Sequence, residues 1–532
     1  MPQKFLSVHI NFPPKKRIDI FREDVTITMK FYESAYIQKG DYFMKKINEL
    51  YSRKPRPIRI IQFGEGNFLR GFVDYMVDVA NEKGVFNGDI AIVKPIQAGN
   101  MDRFHAQDNI YTISLRGKKD GKTYVENRVV TSVGKALDTY GDYQDYMALA
   151  RLDTLRFVVS NTTEAGIQYD ESDKFELTPP NTYPGKLTKF LYERYRAFHG
   201  DPAKGLILLP VELIEDNGGT LKKCVMKYAE LWKLGAEFKK WVEESNTFCS
   251  TLVDRIITGY PRGEGEAQKM WGKLGYEDNL LDTGEPFALW VIESPRDISG
   301  EFPLDKAGLP IIFTKNQKPY RERKVRILNG AHTSTVLAGY LMGKNIVLEC
   351  MNDKTVRTLM EKTVFEEIVP TVKLPHEEAV AFANSVLERF ENPFVKHALL
   401  SISLNSVSKW KARILPTFRD NYAKTHTPPK FLTFSFAALM AFYTSDKLEN
   451  GALIGDRNGE PYEIHDDRKV LEFFAANSKK SAREFTQALA SNTDFWGEDL
   501  TKYEGFAGMV SADLEDIRKN GMTAAVKKLI GE

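Results

Sequence analysis

Between residues 58 and 213 the chain alternates short, continuous apolar runs with longer amphipathic stretches. The runs are 58–63, 90–93, 155–160 and 206–213, and stretches such as 68–80 and 187–198 lie between them. A strand that is apolar at successive positions is covered on both faces, so this alternation predicts an α/β domain built on a parallel sheet. Residues 110–115 and 287–292 read as further strands. Beyond about residue 320 the period changes: apolar residues recur three and four apart in 356–368, 376–390, 393–409, 431–443, 469–476 and 482–489. That spacing predicts amphipathic helices, and hence a mostly α-helical second half. The expected division is a first domain over 58–285 and a helical one over 286–532. Residues 1–57 form an N-terminal extension of unassigned role, with one predicted helix at 42–51. It closes on Arg53-Lys54-Pro55-Arg56-Pro57, whose prolines resist both helix and central strand.

Length and charge narrow the class. A chain of 532 residues is too long for one ordinary core, which agrees with two large domains. The balance of 74 Lys+Arg against 72 Asp+Glu leaves +2, so no nucleic-acid or membrane partner is expected and recognition of a charged ligand must be local. Cys224, Cys249 and Cys350 are odd in number and scattered, which suits reduced thiols in a cytoplasmic protein rather than a disulfide framework or a metal site. The longest strongly apolar stretch, 431–443, is well short of the ~20 residues a membrane helix needs. Oligomeric state is not legible in the sequence.

Two constellations carry candidate chemistry. The first is Gly64-Glu65-Gly66-Asn67-Phe68-Leu69-Arg70-Gly71, between the first predicted strand and a helix. Such a turn lets backbone approach a pyrophosphate at the positive end of the helix. The usual third glycine would fall at Leu69, and the next glycine is Gly71. Arg70 either reaches a cofactor phosphate or pairs with Asp74 one turn on. The acid that usually holds an adenosine ribose after the second strand is missing from Lys94-Pro95-Ile96-Gln97. Gln97 is a candidate for a ribose hydroxyl and Lys94 for a phosphate, so the residues alone leave NAD and NADP open.

The second constellation is Lys324, Asn329 and His332 within Arg323–His332. At ~100° per residue, Asn329 and His332 lie about 60° apart and Lys324 roughly 80° from His332, so one helix face could present all three. An ammonium, an amide and an imidazole suit carbonyl reduction, with a proton donor and hydrogen-bond donors around a developing alkoxide. The alternative is a helix N-terminus at which Asn329 and His332 are satisfied by backbone.

These motifs, together with Ser160-Asn161-Thr162-Thr163-Glu164-Ala165-Gly166 and Val253-Asp254-Arg255-Ile256, occur in an order that resembles the mannitol dehydrogenase family, the polyol-specific long-chain dehydrogenases and reductases. Longer phrases, from IIQFGEGNFLRGFVD to KVRILNGAHT, are similar to its uronate-reducing members, and the resemblance runs from residue 58 to the C-terminus. It implies a Rossmann-type dinucleotide-binding domain, a helical C-terminal domain, NAD as cofactor, a sugar-acid substrate and hydride transfer without a metal. It matches Lys324 to the catalytic lysine, Asn329 to an oxyanion-stabilising asparagine and His332 to a substrate-positioning histidine. Phe63, Gly64, Gly66, Asn67, Phe68, Arg70, Gln97, Thr163 and Asp254 fall at or near cofactor positions, although Asp254 could equally pair with Arg255 or a neighbouring helix. Lys409 matches a substrate-binding lysine, with Arg413 one turn later and His397 three turns earlier on a predicted helix. Leu213 and Ser401 stand where polyol dehydrogenases carry an asparagine and an arginine, which points to a different substrate. The remaining alternatives are a relative acting on mannitol, arabinitol or mannonate, or a non-catalytic dinucleotide-binding sensor. A lysine that must shed its proton near neutral pH needs burial or cationic neighbours, and Arg321, Arg323 and Arg326 are the nearest in sequence.

Overall fold

The computed structural model describes residues 44–163 and 165–532. Six strands form one parallel sheet, in the spatial order Val133–Asp138, Asp89–Lys94, Ile58–Phe63, Phe157–Ser160, Ile207–Pro210, Thr247–Phe248. Numbered along the chain this is 3-2-1-4-5-6, the Rossmann order, whose direction reverses between the first and fourth strands. Successive side chains go to opposite faces. Ile60, Ile90, Ile92, Phe157, Val159 and Leu209 enter one core, while Ile61, Phe63, Val93, Val158 and Leu208 enter the other. Both faces are dry, which is why the strands read as unbroken apolar runs.

Two smaller sheets extend this domain. Ser250–Asp254 pairs antiparallel with Leu289–Glu293, which pairs in parallel with Ile311–Thr314. Ile257–Gly259, Asp282–Gly284, Tyr111–Lys119 and Lys122–Val130 form a second sheet. The Leu289–Glu293 strand stands between the two halves of the chain. Trp290 and Ile292 face the first core, and Leu289 and Val291 face the helical one.

The helical half is built around Gly330–Leu341 and Lys430–Phe442, which pack on each other and are buried almost all round. Residues 431–443 are thus a central core helix. Among the described residues no helix is long and apolar enough to cross a membrane. His376–Phe390 is a helix as the apolar period predicts, with Ala379, Phe382, Ala383, Val386 and Phe390 inward.

Two expectations are corrected. The helix predicted over 393–409 is two short ones, Leu399–Ser403 and Ser406–Arg413, with Asn405 left-handed between them at φ 54°. At 42–51, the described part holds only a single 3-10 turn, Ile47–Glu49. Residues 45–57 nevertheless belong to the body. Ile47 packs against Ile110 and Tyr276, and the Arg53 and Arg56 guanidiniums reach buried Asp89 at 2.7 and 3.2 Å. Residues 1–43 of the extension lie outside the described residues.

Candidate active site

The Gly-rich turn sits at the carboxyl end of the first strand, beside the switch point. Gly64 has φ +124°, and a Cβ there would stand 3.0 Å from Leu69 Cδ1 and 3.1 Å from the Asn161 carbonyl oxygen, so only glycine fits. Gly66 is open, with nothing within 4 Å of a Cβ position, and its backbone faces solvent at the start of the helix. Gly71 takes over the packing role that Leu69 cannot fill. A Cβ there would come within 2.6 Å of Ile257 Cδ1, and its carbonyl accepts from Arg255 at 2.8 Å.

A cavity of about 610 Å³ lies over this strand end, lined by Phe68, Asn161, Thr163, Val211, Leu213, Val253, Asp254 and Lys324 among others. Thr163 is held at φ 72°. Buried Glu212 fixes this rim, accepting from Thr162 N and Oγ1 at 3.0 Å and from Ser160 Oγ at 3.1 Å. Its importance could not be seen in the sequence, because its partners lie some fifty residues away.

Three of the expected cofactor contacts turn elsewhere. Arg70 is buried: it donates to Asn67 Oδ1 at 2.6 Å and to the Leu280 carbonyl, and lies 3.8 Å from Asp282. It therefore braces the turn from behind, and neither reaches the cavity nor bonds Asp74. Asp74 instead accepts from the Tyr111 hydroxyl at 2.5 Å. The Phe63 ring is fully buried against Tyr146 and Tyr183, leaving only its main chain at the turn. Gln97 is exposed on the loop after the second strand and lines neither this cavity nor the neighbouring one. Lys94 is also not free for a phosphate. Its buried ammonium donates to the carbonyls of Ile96, Gln97 and Ala98 and lies 3.2 Å from Asp138.

Lys324, Asn329 and His332 are brought together, though not by a regular α-helix. Lys318–Lys324 and Gly330–Leu341 are joined by a π-helical turn, Val325–Asn329. On an α-helix of 3.6 residues per turn, positions five apart diverge by about 140°. In a π turn, residues i and i+5 are bonded neighbours, so Lys324 and Asn329 stack on one face. The run is mid-helix, which removes the alternative of a helix N-terminus. All three residues line a second cavity of about 370 Å³, with Asp254, Glu285, Arg389, His397, Ser401, Lys409 and Arg413. Lys324 lines both cavities and so marks their junction.

The Lys324 ammonium donates to the Val253 carbonyl at 3.0 Å and lies 3.4 Å from Asp254 Oδ1. Asp254 does not pair with Arg255, whose guanidinium is spent on the carbonyls of Gly71, Glu285, Pro286 and Phe287. Its partner is Arg389, a fork at 3.0 and 3.1 Å from the helix His376–Phe390. Arg389 also bonds Glu285 twice, at 2.9 Å. Sequence reading missed both Arg389 and Glu285.

His332 is buried, its ring stacked on Phe390 at 4.2 Å and edge-on to His397 at 5.3 Å. Burial first, and then the neighbouring His397 and the positive charges of Arg413, Arg389 and Lys409, hold its pKa well below the usual value, so the imidazole is neutral. Its Nε2 is buried and has no hydrogen-bond partner among the described residues. Lys409 and Arg413 share one face of Ser406–Arg413. Lys409 donates to the Ile402 carbonyl at 2.9 Å and Arg413 to Thr333 Oγ1 at 3.3 Å, and neither meets a carboxylate at salt-bridge distance among the described residues. Burial lowers the pKa of both, and each adds to the positive potential of the cavity. His397 arrives from a non-helical segment rather than from three turns up the same helix. Of the arginines nearest Lys324 in sequence, Arg326 bonds Asp420 at 2.5 Å, Arg321 points towards Glu215, and Arg323 lies over Phe382, within electrostatic reach of Asp254 but not beside Lys324. The cations around Lys324 come instead from distant helices.

A dinucleotide-binding sheet whose carboxyl edge opens on a lysine-centred cavity, roofed by a helical domain, defines the class of two-domain dehydrogenases that work on a carbonyl or alcohol. Sequence comparison narrows the class. The sequence model of the mannitol dehydrogenase Rossmann domain matches residues 58–306, and that of the mannitol dehydrogenase C-terminal domain matches 316–518. The chain belongs to the mannitol dehydrogenase family. It is 43% identical over 480 residues to the altronate oxidoreductase of Enterobacter sp. (strain 638), covering 89% of this chain and 97% of that protein. The altronate oxidoreductase of Yersinia enterocolitica is 44% identical over 483 residues, with the same coverage. Among solved structures, a D-sorbitol dehydrogenase superposes with a TM-score of 0.70 at 22% identity, covering 88% of this chain and 95% of that one. The Pseudomonas fluorescens mannitol 2-dehydrogenase, solved with NAD and D-mannitol, gives 0.62 at 22% identity, with 91% and 96% covered. At that identity the structures show the fold alone.

Proposed function

We propose that the protein is an NAD(H)-dependent oxidoreductase that interconverts a keto sugar acid and its aldonate, tagaturonate and altronate. The observation that carries the substrate class is the pairing, in one cavity, of a lysine-centred reaction site with two cations, Lys409 and Arg413, that meet no carboxylate at salt-bridge distance among the described residues. An uncharged polyol would leave those charges unanswered, whereas a hexuronate carboxylate would pair with them. The similarity to altronate oxidoreductases over nearly their whole length supports the same reading.

The turn over Gly64 and Gly66 suits a dinucleotide, because it leaves an open backbone cradle at a helix start. Gly64, Gly66, Asn67, Phe68, Asn161 and Thr163 would hold it. When bound, the nicotinamide supplies or accepts the hydride. Lys324 holds a proton against the substrate oxygen and gives it up as the ketone is reduced, and its neutral amine takes the hydroxyl proton in the reverse direction. Asn329 donates a hydrogen bond to that oxygen, favouring the charge that develops on it in the transition state. Neutral His332 meets a substrate hydroxyl through Nε2, while Lys409, with Arg413 and His397 beside it, takes the carboxylate.

Loss of NADH absorbance with tagaturonate, fructuronate and fructose side by side tests the reading, with NADPH as the second cofactor. Turnover should be fastest with tagaturonate and NADH. Equal or better use of fructose would overturn the substrate, and a preference for NADPH would overturn the cofactor.

A further inference from the structure

Four charged groups alternate in sign across the floor of the reaction cavity. Lys324 lies 3.4 Å from Asp254, Asp254 accepts two bonds from Arg389, and Arg389 is forked again onto Glu285. Arg389, Asp254 and Glu285 are nearly fully buried, and their side chains line the same cavity as Lys324. Glu285 also accepts from Ile256 N at 2.6 Å, which fixes the main chain just after Asp254.

We propose that Arg389 and Glu285 form a positioning pair that sets how strongly Asp254 retains the proton of Lys324. A carboxylate close to an ammonium favours the charged form. Were Asp254 free, it would hold that proton tightly and oppose the oxidative direction, which needs a neutral amine. The Arg389 fork draws on the same carboxylate, and Glu285 in turn limits how much of the Arg389 charge acts on it. The other charged and titratable groups facing this point are His332, His397, Lys409 and Arg413 across the cavity, with Arg323 and Arg255 beyond Asp254. None of these residues is changed in the variants below.

The inference rests on the reading of Lys324 as the acid–base group, and the test separates the two. It is the pH dependence of kcat/KM for aldonate oxidation. In Arg389→Gln both carboxylates lose their counter-cation, so the pH of half-maximal activity should move alkaline by about one unit or more. Arg389→Lys should recover part of that shift. Glu285→Gln leaves Arg389 acting more fully on Asp254, so its midpoint should move the opposite way, towards acid. Unmoved midpoints beside lowered activity, or shifts of the same sign in both variants, overturn the pair. If Arg389→Gln does not fold, the acid shift of Glu285→Gln, close to isosteric, decides alone. Absence of aldonate turnover in the wild-type protein would instead refute the proposed function.

Discussion

At the scale of single residues, the proposed function separates groups that would act on a proton from groups that would act on a charge. Lys324→Ala should remove turnover by roughly 10²–10⁴-fold or more, since general acid–base groups contribute in that range. NADH affinity, measured by fluorescence titration, should stay nearly intact, because the Gly64–Gly66 turn does not depend on this side chain. Retention of a third of the activity would make Lys324 structural. Lys409→Ala should act differently. A charge-assisted bond contributes roughly 1.5–3 kcal/mol, so kcat/KM for tagaturonate should fall about ten- to a hundredfold, mainly through KM. An uncharged ketose, where turned over, should suffer less, and equal losses on both substrates would dismiss Lys409 as the carboxylate anchor. The residue types and spacing of Lys324, Asn329 and His332 were legible in the sequence. Arg389 was not, since a basic residue near the end of an amphipathic helix ordinarily faces water, and only its position over Asp254 gives it a role.

At the scale of elements, glycine placement and helix geometry do work that spacing alone misstates. The Gly64 turn was legible because its backbone demand is local, whereas Gly71 acquires its role only when Ile257 arrives from a distant strand. Gly71→Ala should overpack that contact and destabilise the protein by about 1–3 kcal/mol. Combining it with Ile257→Ala should cost less than the two single changes together, as a double-mutant cycle in urea can measure. Strict additivity would mean that the close approach to Ile257 does not set the cost, since Gly71 lies in a helical run whose φ any residue adopts. The π turn at Val325–Asn329 is the converse case. A constant 100° per residue assumes an uninterrupted α-helix, and hydrophobic periodicity over ten residues does not reveal an i to i+5 turn. The helix expected over 393–409 failed similarly, because apolar residues at helical spacing also occur where a chain breaks and packs both fragments on the same core.

At the scale of the whole molecule, several buried carboxylates tie stability to pH. Burial pushes Asp74 up to about 7 and Glu367 up to about 7, with Asp282 raised to about 6. Each binds its proton more tightly in the folded state than in the unfolded chain. Between the ordinary carboxylate range and these raised values only the folded state keeps the proton, so stability should fall as pH rises from about 4.5 to 7, by at most about 1.4 kcal/mol per unit for each group. His332 and His397, held neutral by burial, act the opposite way below about pH 6.5. The carboxylate share is therefore read as the difference from Asp74→Asn, whose thermal midpoint should lose less than the wild type's between pH 5.5 and 8. An equal change in both proteins would contradict it. The sequence by itself determined the parallel sheet, the helical second half, the Gly-rich turn and the grouping of Lys324, Asn329 and His332, because hydrophobic period, glycine demand and side-chain chemistry are expressed within a few neighbouring residues. Only the tertiary structure decided that Arg70 and Lys94 face inward, that Lys409 and Arg413 meet His332 and His397, and that Arg389 clasps Asp254 across 135 positions of chain. A charge takes whichever partner the packing brings within about 4 Å, and that distance is set by how distant elements dock.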